Sequence, residues 1–215
     1  MAGAARNHRL EWPETAWRCV VTLWLVAVAG VWFWVEGYAF QAYAPGPSYD
    51  HQSWPAESAL RPANSRPTLL LFMHPRCPCT RASIRELERL LGGLGRPEFQ
   101  PEIIILVSLP AESGEEWRRT DSVRQASGLP RAKVVYDPNG RETSRFGAVA
   151  SGTVMLFGAG GEKLFAGGVT ASRGHEGDNA GTDALQALLR GRKDLLVVST
   201  PAFGCRLCIP DMEPE

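Results

Sequence analysis

The sequence predicts an α/β sandwich with a mixed sheet, standing behind one N-terminal transmembrane helix. Three observations lead there. From residue 67 onward, apolar runs of buried-strand length alternate with segments of helical period. Two later apolar runs are joined directly by a glycine-rich turn, which makes a hairpin rather than another helical crossover. A separate stretch near the N-terminus is uncharged over almost the length of a bilayer.

That stretch is "CVVTLWLVAVAGVWFWV", Cys19 to Val35, lying between Arg18 and Glu36 and extended by "GYAF" to Phe40. A spanning helix needs about 20 apolar residues, and charges at its ends can reach the interface. Trp17, Trp32, Trp34 and Tyr38 suit the interfacial belts. The rival reading is a cleaved secretory signal, with small residues at Ala27 to Gly30. Cleavage there would halve the apolar run, and at "AYAP" a proline would follow the cut. Arg6, Arg9 and Arg18 precede the span, and no Lys or Arg follows it until Arg61. The positive-inside rule therefore expects residues 1–18 in the cytoplasm, a span over 19–40, and the remainder in the periplasm, anchored to the inner membrane. Residues 41–66, rich in Pro, Ser and Ala, have no periodicity and read as a tether.

The domain over 67–191 opens with "TLLLFMH", a strand buried on both faces and stopped by Pro75. A helix follows, with Ile84, Leu87, Leu90, Leu91 and Leu94 on one stripe and "GGLG" closing it. "EIIILVS" is a second buried strand. Ser113 to Leu129 is expected as one helix with Trp117 and Val123 inward, and "AKVVYD" as a third strand. "PNGRETSRFGAV" supplies a turn and a short connection. "TVMLFGAGGEKLFAGGV" is the hairpin, turning at Gly158 to Gly161, and a last helix runs from about Thr182 to Arg190. A tail over 192–215 carries "CRLC".

The chemistry concentrates in "HPRCPCTRAS", where Cys77 and Cys79 flank Pro78 at the first strand-to-helix junction. A domain of this size needs no disulfide to hold its core, so a cysteine pair is free to be reactive. Lys plus Arg and Asp plus Glu both number 23, and with zero net charge and no basic run, nucleic acid is not an expected partner.

A strand ending in a cysteine pair, a helix-strand insert, the "DPNG...RFGA" approach and a closing hairpin and helix resemble the thioredoxin fold. The form is that of membrane-anchored, exported disulfide reductases of the TlpA and ResA type, over about Pro67 to Leu189. "HPRCPCTRAS", "SRFGAVASG", "GGVTASRGHEGDNAG" and "TPAFGC" are most similar to bacterial proteins labelled RedB. The resemblance implies a thiol-disulfide oxidoreductase without cofactor, acting on exported protein thiols and fed by a membrane or periplasmic electron donor. Two departures stand out: Cys-x-Cys replaces Cys-x-x-Cys, and Gly152 stands where a cis proline would face the cysteines.

In such chemistry the thiolate is the nucleophile, and a helix N-terminus or a nearby cation lowers a thiol's pKa. Cys77 is expected at the N-cap, with Pro78 at the first helical position and Arg76 and Arg81 as cations. Cys79 is expected to resolve the mixed disulfide. The bland alternative is a pair of buried, inert thiols. His74 either assists a thiol or merely packs. "TASRGHEGDNAG" should emerge beside the cysteines, with Arg173 and His175 facing a partner and Glu176, Asp178 and Asn179 holding the loop or capping the next helix; a solvated turn is equally expected of such residues. Cys205 and Cys208 either bridge locally or relay electrons, since a tail of a dozen residues reaches about 40 Å. The resemblance favours Cys205. Cys19 reads as a small lipid-facing side chain.

A reading from a different class is copper or zinc delivery, with Cys77, Cys79, His74 and Cys205, joined by Cys208, as soft ligands. A peroxiredoxin is not expected, because His74 occupies the place of the threonine that chemistry needs.

Overall fold

The computed structural model describes residues 13–43, 46–192 and 199–209. The chain divides into two units, one ending at Ala39 and one starting at Phe40. The first is helix α1, Glu14–Ala39, whose 26 residues extend about 39 Å at 1.5 Å each. Among the described residues it is the one helix long and apolar enough to cross a membrane, with a mean hydropathy of 1.9. Arg6 and Arg9, on which the expected orientation rests, lie outside the described residues.

The second unit holds five strands: β1 Thr68–Met73, β2 Glu102–Leu109, β3 Ala132–Pro138, β4 Thr153–Phe157 and β5 Lys163–Gly167. They form one sheet in the order β3-β2-β1-β4-β5. β1 runs parallel to β2, and β2 to β3, while β4 is antiparallel to both β1 and β5. The helices are α2 Thr80–Gly93, α3 Glu115–Arg118, α4 Asp121–Ser127, α5 Arg141–Arg145 and α6 Ala180–Leu189.

All six residues of β1 are buried because both faces of the sheet are covered. Leu69, Leu71 and Met73 join Ile84, Leu87, Leu90 and Leu91 of α2 in one core; Leu70 and Phe72 face a second core with Phe146, Met155 and Phe157. The two-residue strand period makes that division. Central β1 thus delivers the residues after Met73 to the C-terminal edge of the sheet, between β2 and the start of β4.

Two expectations need correcting. The single helix over 113–129 is two, because Thr120 leaves helical backbone and its side chain accepts the Val123 N–H at 3.3 Å, capping α4. The segment read as a tether also docks on the domain. Trp54 lies edge-on to Phe146 and Phe157, at ring separations of 5.1 and 4.9 Å, and its indole N–H donates to the Leu60 carbonyl at 3.2 Å. Ser58 Oγ donates to Glu142 Oε2 at 2.6 Å. Isolated aromatic and polar anchors have no period, so the sequence pattern could not announce them.

Candidate active site

β1 ends in a turn in which the Cys77 N–H donates to the His74 carbonyl at 3.1 Å. Cys79, not Cys77, stands at the N-cap of α2, with helical φ −66° and ψ −28°. Cys77 is therefore two residues further out than expected, yet it is only 1 % exposed. Its Sγ accepts the Cys205 backbone N–H at 3.4 Å. The Cys205 thiol, the Thr80 hydroxyl and the Thr80 N–H also bond it, and together they hold the Cys77 thiol down at about 4 against the opposing effect of burial. A charge receiving this many donors is favoured as the anion.

The cations expected to do this do not. Arg76 lies over the Trp117 ring, 3.8 Å from its centroid, and the causes that lower Cys77 are hydrogen bonds rather than Arg76 or Arg81. The helix terminus does act, through the Thr80 N–H. Cys79 is pushed up, first by burial and then by the Cys77 charge, with Arg173 opposing through a bond to its thiol. Cys205 is pushed far up, chiefly because its thiol donates to Cys77. One anion with two neighbouring protonated thiols is the reduced state of this cluster.

His74 is packed into the turn. Its backbone N–H donates to Ser151 Oγ at 2.8 Å, its Nδ1 accepts the Arg76 N–H at 3.3 Å, and its ring meets Trp117 edge-on at 5.6 Å. Burial holds the imidazole below its usual range, with the Cys77 charge opposing.

Just before β4, Gly152 has φ +92°, a conformation that favours glycine, and its N–H donates to the Phe72 carbonyl at 2.8 Å. A Cβ there would come within 2.7 Å of Ser83 Oγ. Glycine thus supplies the close turn in place of proline, and among the described residues every peptide is trans. Beside it the fully buried Ser151 pairs its hydroxyl with Thr80 Oγ1 at 2.6 Å. In the sequence Ser151 counts only as the partner of Gly152 in shaping the turn, and Thr80 does not stand out. Each is an ordinary small polar residue until the fold seats it against the thiol turn.

In the loop after β5, Arg173 reaches the thiols, whereas His175 is exposed. Asn179 caps α6 by accepting the Thr182 N–H at 2.9 Å. Glu176 pairs with Arg85 at 2.8 Å and Arg89 at 3.3 Å, and the buried Glu86 accepts the Gly177 N–H at 2.6 Å. Asp178 is exposed. The tail returns across the same end of the sheet. The Ser151 N–H donates to the Cys205 carbonyl at 2.8 Å and the Leu207 N–H to the Val149 carbonyl at 2.9 Å, about an antiparallel Ala150–Arg206 bridge. Cys208 lies apart from Cys77, its carbonyl accepting Ser108 Oγ at 2.6 Å at the end of β2. The other tail residues, 193–198 and 210–215, lie outside the described residues.

No family model matches this chain, and no curated protein does. Solved structures do. A hypothetical protein from Sinorhizobium meliloti 1021 superposes with a TM-score of 0.58 at 16 % identity, over 80 % of this chain and 100 % of its own. An uncharacterized conserved protein from Geobacillus kaustophilus gives 0.56 at 20 % identity, over 81 % and 92 %. A secreted disulfide oxidoreductase of Mycobacterium tuberculosis gives 0.40 at 12 % identity, over 60 % and 84 %. The strand order and directions make the fold thioredoxin-like. Its mixed β2-β1-β4-β5 core, with thiols where β1 meets α2, carries β3 and the short helices before it as the insert.

Proposed function

We propose that this chain is a membrane-tethered, extracytoplasmic thiol-disulfide oxidoreductase of the TlpA and ResA type, akin to the proteins labelled RedB, that exchanges disulfides with exported proteins through Cys77. The observation that carries the reading is the Cys77 sulfur, held as an anion by bonds from Cys205 and Thr80 with further thiols beside it. An inert structural thiol is protonated and has no such donors. Cys77 attacks one sulfur of a client disulfide, forms a mixed disulfide and releases the other sulfur as a thiolate. A neighbouring thiol then attacks Cys77, frees the client's second sulfur and leaves an intramolecular disulfide, which a dithiol donor reduces. The Cys77–Cys79 ring would be small and strained. Helix α1 is the membrane anchor, oriented with Arg6, Arg9 and Arg18 in the cytoplasm and the domain in the periplasm.

The copper or zinc reading shares these thiols. Among the described residues no group of three or more His, Cys, Asp and Glu side chains is arranged to hold a metal, and His74 Nδ1 is engaged with Arg76. One preparation tests both readings. Membranes containing the full chain are washed with carbonate, solubilised, analysed for metal and assayed for reduction of a protein disulfide by dithiothreitol. The expected result is retention in the membrane and catalysis that Cys77→Ser abolishes. Catalysis unaffected by Cys77→Ser, or stoichiometric metal lost in Cys77→Ser and Cys205→Ser alike, refutes the enzyme reading.

A further inference from the structure

Cys77 presents a contradiction to any enzyme that must meet a large client. The thiolate is the nucleophile, yet it is 1 % exposed. The chain's own tail lies against its sulfur, with the Cys205 N–H 3.4 Å away. Ser199 pairs in parallel with Ala166 on the free edge of β5, and Thr200 Oγ1 donates to the Gly168 carbonyl at 2.7 Å. Phe203 and Leu207 are buried, at 8 % and 4 % exposure, and Leu207 joins the core of Leu70, Phe72 and Phe146. Between these anchors, residues 205–207 bond the backbone of Val149 and Ser151 as an added antiparallel strand, and the Cys205 N–H points at Cys77 Sγ. Gly204 permits the approach, since a Cβ there would collide with the Ser151 carbonyl oxygen.

From this arrangement we infer that the tail is an intramolecular client: it docks as an extended strand in the cleft that an incoming cysteine-bearing segment must use, and it presents Cys205 to Cys77. An extended peptide adding to an exposed backbone edge is a general recognition mode, and here the occupant is covalently supplied. Two consequences follow. The tail must lift before an external disulfide reaches Cys77, so the docked form is closed to clients. When it returns, Cys205 rather than Cys79 is the resolving thiol. Cys205 sulfur attacks Cys77 sulfur of the mixed disulfide, the Cys77–client bond breaks, and the client leaves as a thiolate that takes up the proton Cys205 loses. The client has gained two electrons, the Cys77–Cys205 pair has lost two, and a dithiol reductant restores them. Cys79, two residues along the same turn, can close only a small ring with Cys77.

The inference rests on the proposed disulfide chemistry of Cys77 but can fail separately from it. The full-length protein in detergent is oxidised with diamide and digested with trypsin without reduction. Arg76, Arg81 and Arg206 are cleavage points that leave Cys77 and Cys79 on one short peptide and separate Cys205 from Cys208. The expected product joins the "CPCTR" peptide to the one ending in Cys205-Arg206 through Cys77, as fragmentation will show. A loop within "CPCTR", or a Cys205–Cys208 link, overturns the resolving role. Gly204→Val tests the gate, with Cys205→Ala alongside it as a variant that keeps the backbone contacts. Undocking should make alkylation of Cys77 by a maleimide-labelled peptide faster by about tenfold or more, given the net worth of the lost backbone bonds, while Cys205→Ala changes it less. Equal rates in wild type and Gly204→Val overturn the gate. If Gly204→Val still reduces a small disulfide and Cys77→Ser does not, the underlying enzyme reading stands whatever the tail does.

Discussion

Replacing Cys205 by alanine separates hydrogen bonding from every other influence on Cys77. The substitution deletes the thiol donor, which is the largest cause of the lowered Cys77 pKa, but retains the Cys205 backbone N–H and both Thr80 donors. A hydrogen bond to a charged acceptor contributes about 1.5–3 kcal/mol, and a thiol is a weak donor, so the lower end applies. At 1.36 kcal/mol per pKa unit, the loss is about one unit upward. Truncation at residue 205 also opens the sulfur to water, which works the other way because burial raises the pKa of this thiol. The bond outweighs it, since the backbone of the tail still covers the site. The Cys77 titration should therefore move from about 4 to about 5, while Cys205→Ser, with a hydroxyl donor, stays within about half a unit of wild type. The assay is thiolate absorbance near 240 nm against pH in the reduced protein, with Cys77→Ser as the blank. An alanine variant that titrates at or below the wild-type value refutes the hydrogen-bond origin of the thiolate.

The same pair links stability to pH. Cys77 is lowered from 9.0 to about 4 on folding, so between those values the unfolded chain holds a proton that the folded one lacks, and stability rises with pH. Cys205 is raised above 9.0, so beyond that pH the folded state holds the extra proton and stability falls. Melting of the reduced protein should thus gain on Cys77→Ser from about pH 5 to about pH 8, by at most about 1.4 kcal/mol per pH unit; parallel curves would contradict the assignment. Ser151→Ala strips the His74 N–H and the Thr80 hydroxyl of a buried partner. It should cost about 1–3 kcal/mol and lower the melting temperature, whereas an unchanged melt would show that water replaces the serine.

The sequence by itself determined the strands, most of the helices around them and the cysteine pair at the first strand-to-helix junction. Those features are local: a six-residue apolar run with both faces buried, a leucine stripe at helical spacing and a cysteine pair at the break each signal in a short window. It also marked Gly152 as a departure and gave Asn179, with Glu176 and Asp178, as residues to hold the loop or cap the next helix; the structure makes Asn179 the cap. Tertiary structure decided the rest. Whether Arg76 serves a thiolate or an aromatic ring depends on Trp117, some forty positions away, and the ring took it. Ser151 and Thr80 acquire importance only once β4 lies beside β1. Most of all, the placement of Cys205 over Cys77 depends on a tail crossing from the edge of β5 to the end of β2. No periodicity encodes that path. It is held by buried side chains at Phe203 and Leu207 and by backbone bonds, and so the contact of Cys205 with Cys77, which resemblance alone had favoured, could be seen only in the folded chain.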